Sequence, residues 1–417
     1  MGKSKADVTV DFDHHAPMAV TNDELIDTYL QQTCPVAWSE RHGGFWYLTS
    51  YEDTKRIATE WKSFTVEEGI VHPPPPYDKV TMAEDDPPVH TQYRRALNPT
   101  LSREHVQDVV RPRIEYWTDV FIDRVIETGE CDLLYDIGVA VPGAVTLEWL
   151  GFTDDRDEWW RIGKAWHDLW GRPIESKEWA SAGETIGWFD TRIAEELQRR
   201  RAEPRDDTLT KVTEIEIDGE RISETAAISL VRILLGAGVD TTTSLIGSAV
   251  VHFHYNHEDR DRLSEEPGLW EVATEEFLRR YPPSRTLVRT CVKEAEFGDF
   301  TISPGEKVIA SVTAANLDAE VFGRPLDFEA DRNPNPNLAF GAGVHKCFGL
   351  HLARAEFIVV MRKILERLPD YQVHEDQLVR YGRQSNIRGW MKIPASFTPG
   401  ERRMAPAEAA DAVSLTR

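Results

Sequence analysis

The sequence predicts a mostly α fold with small β-sheets, on three observations. Residues 223–255 form one long apolar segment, with only Arg232 and Asp240 charged between Ala226 and Val250. Residues 105–200 read as mostly helical, and another helical pattern follows Cys347 to about residue 368. Strand-like runs are short, as in Phe45-Trp-Tyr-Leu48 after Gly43-Gly44. No internal repeat and no Gly/Ser-rich linker divides the 417 residues, so one large core is expected.

Charge and cysteine usage narrow the function. Lys and Arg number 48 against 71 Asp and Glu, a net charge of −23. That argues against nucleic acid and against an anionic membrane surface as partners. The four cysteines (Cys34, Cys131, Cys291, Cys347) are far apart, which fits a reducing cytosol better than a disulfide framework or a zinc site. Met1 to Asp13 is charged without an apolar run, so no signal peptide or membrane anchor is expected and the location is cytoplasmic.

Taken in order, residues 1–20 read as a flexible arm and 24–32 as a helix. Ser50 or Asp53 caps a helix over 51–61. Residues 65–85 are irregular and include Pro73-Pro-Pro-Pro76, a stiff loop without N–H donors. His90 opens a helix. Residues 132–150 are apolar, with Pro142 expected to break them. Helices over 155–170 and 186–200 form a pair; Trp159, Trp160, Trp166 and Trp170 read as packing at helical spacing. Residues 214–222 suggest a small hairpin. The 223–255 helix, about 50 Å long, is apolar on most sides but holds an acid and hydroxyls in its middle, so it reads as a buried central helix rather than a membrane span. A helix with Glu276 and Arg279 ends before Tyr281-Pro-Pro283, a strand carries Arg289, and 300–310 reads as strand–turn–strand. Residues 399–417 read as a flexible tail.

Candidate chemistry concentrates at Phe340-Gly-Ala-Gly-Val-His345-Lys-Cys347-Phe-Gly349. Gly341 and Gly343 allow left-handed turns and close approach to a flat ligand. Cys347 stands at the mouth of the following helix, where free N–H groups favour a thiolate able to ligate a soft metal or a haem iron. An inert buried cysteine is the alternative. His90 and Arg94 share a helix face, which suits a carboxylate or is simply solvated. In the long helix, Gly236-Ala-Gly-Val-Asp240-Thr241 places poor helix formers where a local distortion is expected. Asp240 and Thr241 can pass protons from solvent. Alternatively, Thr241 bonds back to its own helix and Asp240 pairs with an arginine.

These stretches resemble the cytochrome P450 family. The decapeptide matches its cysteine-ligand loop, Phe-Gly-x-Gly-x-His-x-Cys-x-Gly, at every fixed position. Ala237-Gly238-x-Asp240-Thr241 resembles its oxygen-activation segment, His90-x-x-x-Arg94 its propionate site, and Glu276-x-x-Arg279 its structural helix pair. Leu317 and Asn337 depart from the usual Arg and His, positions where a surface or propionate-side contact can differ.

The resemblance covers about residues 20–397 and implies the cytochrome P450 fold, a single triangular haem domain over residues 21–398. Cys347 would ligate the iron of haem b, and the haem would be held by His90, Arg94, Ala237, Gly238, Arg289, Phe340, Gly341, His345 and Gly349. Glu276, Arg279 and Arg332 would form a buried cluster supporting the cysteine loop. Asp240 and Thr241 would deliver protons as one atom of O2 is inserted into an apolar small molecule. Electrons would come from NAD(P)H through a separate ferredoxin and reductase, docked on a basic patch drawn from Arg94 or Arg95, Arg103, Arg111, Arg113, Lys346 and Arg354. The 65–85 loop would cover the substrate; Leu234, Ala237, Leu287, Val288 and the turn near Asn386–Ile387 would line its pocket. A monomer is expected. The alternative is a haem-binding sensor or carrier without turnover, which a test for turnover with redox partners separates.

Overall fold

The computed structural model describes residues 4–74, 78–152, 156–172, 176–382 and 386–404. They are mostly helical, with small sheets. Two compact units emerge: one of Met1–Arg94, Glu275–Phe348 and Arg383–Arg388, the other of Arg95–Thr274, Gly349–Gly382 and Gly389–Arg417.

The first unit is built on a five-stranded sheet. Phe45–Leu48 lies inside it, antiparallel to Val36–Ser39 and parallel to Lys307–Ser311. Lys307–Ser311 in turn pairs antiparallel with Thr286–Cys291, whose far edge takes Phe64–Thr65. Both faces of the sheet are covered, which is why Phe45 to Leu48 read as an unbroken apolar run. Trp46, Leu48, Val308 and Ala310 enter one core cluster, while Phe45, Tyr47 and Ile309 enter the other. The helix Tyr51–Thr59 begins where expected, with Ser50 accepting from the Asp53 N–H.

Residues 4–20, expected as a flexible arm, pack against this sheet. Thr9 bridges Trp38 in parallel, Val10 N–H donates to the Trp38 carbonyl (2.9 Å), and Phe12 is buried against Tyr47. The alternation Val8, Val10, Phe12 was the overlooked strand-like signal. The 65–85 loop is also tied down: Glu84 accepts from the N–H groups of Ile70 (3.2 Å) and Val80 (2.7 Å). Pro75 and Pro76 lie outside the described residues.

The second unit surrounds the helix Glu224–Tyr255, 32 residues and about 48 Å long. Ser223 caps it by accepting from the Ala226 N–H. Among the described residues two segments, Leu133–Leu150 and Glu224–Tyr255, are long and apolar enough to cross a membrane, but 78% of the apolar 18-residue window in each is buried inside the fold, so they serve as core. The expected distortion is absent, and the helix runs continuously. Its glycines admit neighbouring helices instead: a Cβ on Gly236 would lie 3.2 Å from Trp166, and one on Gly238 would lie 2.9 Å from Thr146 Oγ1. Of the tryptophan group, the side chains of Trp159, Trp160 and Trp170 lie outside the described residues.

Pro142 does not break its segment. Leu133–Val139 is a π-helix running into the α-helix Ala140–Leu150, with Pro142 in its first turn. Proline cannot donate to the carbonyl four residues back, Gly138. The Thr243 hydroxyl of the central helix donates to that oxygen instead (2.9 Å). The helical pair runs Arg156–Gly171 and Lys177–Ala202, and the hairpin is Glu216–Ile217 with Glu220–Arg221. Residues 399–404, assigned to the tail, are anchored: the Arg403 and Met404 N–H groups donate to Asp123.

Candidate active site

The decapeptide forms a closed loop in the first unit. Gly341 and Gly343 have φ of +65° and +70°, the left-handed region that favours glycine. At Gly343 a side chain is also sterically excluded, because a Cβ would lie 2.8 Å from the Ala58 carbonyl oxygen. Cys347 N–H donates to the Phe340 carbonyl (2.9 Å), pinning the cysteine across the loop. The Arg94 guanidinium donates to the Lys346 carbonyl (2.8 Å) and lies 5.3 Å from the Phe348 ring centroid. Arg94 therefore holds the cysteine loop directly.

Below the loop lies a buried charge cluster. Glu276 and Arg279 are fully buried and joined by two hydrogen bonds, at 2.7 and 2.8 Å. Arg332 Nε donates to both Glu276 oxygens, at 3.1 and 3.0 Å. Asn335 Nδ2 and the Glu329 N–H complete the carboxylate's partners. Arg279 also donates to the carbonyls of Asn316, Pro325 and Asp327. Each charge is thus fully hydrogen-bonded, which a buried ion cluster needs to be tolerated. Asn337 donates to Glu275 and accepts from the Ala339 N–H, so it shapes the approach to the loop. Leu317, the other departure, is simply buried.

The residues expected to meet carboxylates are present but differ in state. Arg289 is buried, donates to the Val288 carbonyl (2.7 Å), and has no carboxylate at ion-pair distance among the described residues. Burial pulls its guanidinium down to about 10. A buried cation in this state calls for an anion. His90 differs from Arg289 in its charge. Burial, then the nearby His345 and Arg94, push its imidazole down to about 4, so it serves near neutrality as an N–H donor. His345 is engaged by Asp86, with Nε2 to Oδ1 at 3.0 Å. Burial raises the Asp86 carboxyl, but the His345 and Thr65 hydrogen bonds outweigh it and hold it below its usual value.

In the second unit the central helix, buried over most of its length, carries an open stripe near its middle. Ala237 is exposed and Ile233 and Thr241 are half-buried, at i, i+4, i+8 spacing. Asp240, one residue from Thr241, is completely buried. Among the described residues it has no arginine partner: Tyr381 Oη donates to its Oδ1 (2.6 Å), and His167 Nδ1 lies 2.9 Å from the same oxygen. Burial first, then the Asp240 charge, push the Tyr381 hydroxyl far above its usual value, so it remains a donor. Thr241 Oγ1 donates back to the Ala237 carbonyl (2.8 Å), which leaves its oxygen as an acceptor. A polar chain leads outward: the Tyr135 ring lies edge-on to His167, its hydroxyl donates to Asp168 (2.8 Å), and Asp168 pairs with Lys164 and Arg172. His167 and Tyr381 could not be found from local pattern, since they lie 73 and 141 positions from Asp240. Gly349 caps the helix Leu350–Arg367.

That helix carries a second buried acid. Burial pushes the Glu356 carboxyl up to about 8, with the Thr242 hydroxyl opposing. Unfolded, the same group ionises at its ordinary value of 4.5, so stability falls as pH rises from that value to the folded one. Glu356→Gln removes this penalty. Denaturant titrations should show the stability difference moving in the variant's favour by up to about 1.4 kcal/mol per pH unit across that window.

Two expectations need correction. Leu287 and Val288 cannot share a face of the strand Thr286–Cys291. Val288 packs in the sheet core with Tyr47 and Ile309, leaving Leu287, half-buried, on the side of Arg289. Arg113, assigned to a docking patch, is held by Glu148 at 2.7 Å. Leu234 and Ile387 are both buried.

The cysteine loop, a buried unpaired arginine for an acidic ligand and the acid on the open-striped helix together fit a haem-thiolate protein. The family model for cytochrome P450 matches residues 269–380. A steroid C26-monooxygenase of Mycobacterium tuberculosis is 31% identical over 76% of this chain and 86% of its own. Cytochrome P450 107B1 of Saccharopolyspora erythraea is 34% identical over 75% of this chain and 76% of its own. A solved cytochrome P450 of Chondromyces apiculatus superposes with a TM-score of 0.82 at 26% identity, covering 94% of this chain and 99% of that one. The chain belongs to the cytochrome P450 family; it is an oxidoreductase of the monooxygenase class, and haem and O2 come with that membership.

Proposed function

We propose that this protein hydroxylates an apolar small molecule of steroid size, using electrons delivered by a separate ferredoxin and its reductase in the cytoplasm. The observation that carries the reading is the buried Asp240, fixed by Tyr381 and His167 beside Thr241 on the open stripe of the central helix. A sensor or carrier needs no such proton route. The steroid-sized substrate rests on relatives: besides the steroid C26-monooxygenase, a vitamin D(3) 25-hydroxylase of Pseudonocardia autotrophica is 29% identical over 86% of this chain.

In this reading Cys347 ligates the haem iron, and Arg289, Arg94 and His90 receive the haem carboxylates. Bound haem supplies oxygen activation and insertion. Thr241 offers its hydroxyl oxygen toward the open face, and Asp240 is the group that takes up and passes on protons beside it. Tyr381 and His167 keep the Asp240 carboxylate in place, and Tyr135, in edge contact with the His167 ring, donates to Asp168 on the neighbouring helix. Ala237, exposed on the central helix, would present apolar surface to the substrate.

The test is a spin-state titration of the haem-loaded protein against a panel of steroids, fatty acids and small aromatics, followed by product analysis with ferredoxin and reductase. A steroid that shifts the spin state and gains one oxygen supports the proposal. A spin shift without product in the presence of reduced ferredoxin would favour the carrier.

A further inference from the structure

A cluster of histidines lies in the first unit, apart from every residue discussed for catalysis. Asp13, His14 and His42 each offer a ligand atom, and these atoms all lie within 4.8 Å of one another. His42 Nε2 is 2.8 Å from Asp13 Oδ1. The His72 ring stands 6.1 Å from that of His14 and 6.4 Å from that of His42, centroid to centroid. His15 adds a further ring, 4.1 Å from His14. The members come from three stretches of chain: the N-terminal segment, the turn Arg41–Gly43, and the start of the proline loop.

Packing alone accounts poorly for this group. His14 is 2% exposed and His72 5%. Yet His14 Nδ1 and both ring nitrogens of His72 have no hydrogen-bond partner among the described residues. The Nε2 atoms of His14 and His15 both meet the His72 carbonyl oxygen, at 2.8 and 2.7 Å, so the rings converge on one point of backbone. Buried polar nitrogens are nearly always paired, because an unpaired one keeps its full desolvation cost. Imidazoles with a carboxylate are the donor set of zinc and neighbouring first-row ions.

We propose that Asp13, His14 and His42 bind a divalent first-row transition ion, zinc in the first instance. The buried His14 Nδ1, without a partner among the described residues, is the ligand atom that packing leaves unused. A bound ion would cross-link the N-terminal segment to the turn Arg41–Gly43, and so stabilise the folded state in proportion to its occupancy.

The test uses tag-free, haem-loaded full-length protein, washed with chelator and then titrated with zinc chloride. Elemental analysis counts zinc separately from haem iron. The expected result is one zinc per chain retained through gel filtration, one saturable site by calorimetry, a rise in melting temperature, and none of these with magnesium chloride. His42→Ala and Asp13→Asn, at exposed and half-buried positions, should each weaken zinc binding by more than about 100-fold while keeping the haem spectrum, and should lose the thermal shift. Substoichiometric zinc in the wild type would overturn the proposal, as would stoichiometric zinc unaffected by these changes.

Discussion

Asp240→Asn is expected to lower product formation by about 10²- to 10⁴-fold, the usual contribution of a positioned acid–base group. The haem spectrum and the substrate-induced spin shift should be unchanged. The carboxylate is completely buried and is shared by Tyr381 Oη and His167 Nδ1. Asparagine matches its shape and can still accept from Tyr381, but it cannot take up and release a proton. The loss should therefore fall on turnover rather than on folding or binding. Tyr381→Phe supplies the contrast. It removes a donor that positions Asp240 but leaves the acid, so its effect should be smaller and its pH–rate profile displaced. Asp240→Asn retaining more than about a third of wild-type product formation would remove Asp240 from the proton route.

The second large effect is on assembly. Glu276→Ala should destabilise the protein by about 3–5 kcal/mol, the range for breaking a buried ion pair, and should yield little haem-loaded protein. The reason is geometric. Glu276 bonds both Arg279 and Arg332, Arg332 being also paired with Glu329 at 3.3 Å, and those arginines in turn hold the carbonyls of Asn316, Gly323, Pro325 and Asp327. Removing the carboxylate leaves Arg279 buried without an acidic partner among the described residues and Arg332 with Glu329 alone, in the segment that leads into the cysteine loop. Glu276→Gln keeps one acceptor and should recover part of the haem content. Normal holoprotein from Glu276→Ala would show that the cluster does not support the loop.

Much of this arrangement was legible because local signals were strong. The central helix was read at 223–255 and found at Glu224–Tyr255, since its apolar run and its Ser223 cap are both written in consecutive residues. The strand Phe45–Leu48 was legible from its apolar run. Arg332 was reached only through family resemblance, as nothing nearby marks it as a partner of Glu276, 56 residues earlier. The partners of Asp240 were illegible for the same reason: His167 and Tyr381 approach from distant segments, and neither carries a pattern of its own. The N-terminal segment was misread because its charges outweighed a short alternation. The charge state of His90 is not legible in the sequence because it depends on burial and on His345, which only the fold brings within 4.4 Å ring to ring.

The proposed ligation of haem iron by Cys347 rests on the loop that Gly341, Gly343 and Arg94 hold in shape. It is tested most directly by the carbon monoxide difference spectrum of the reduced, haem-loaded protein, recorded beside that of Cys347→Ser. The account predicts the strongly red-shifted band of thiolate ligation in the wild type and its loss in the variant. A wild-type spectrum without that band, or a variant that keeps it, would contradict the account.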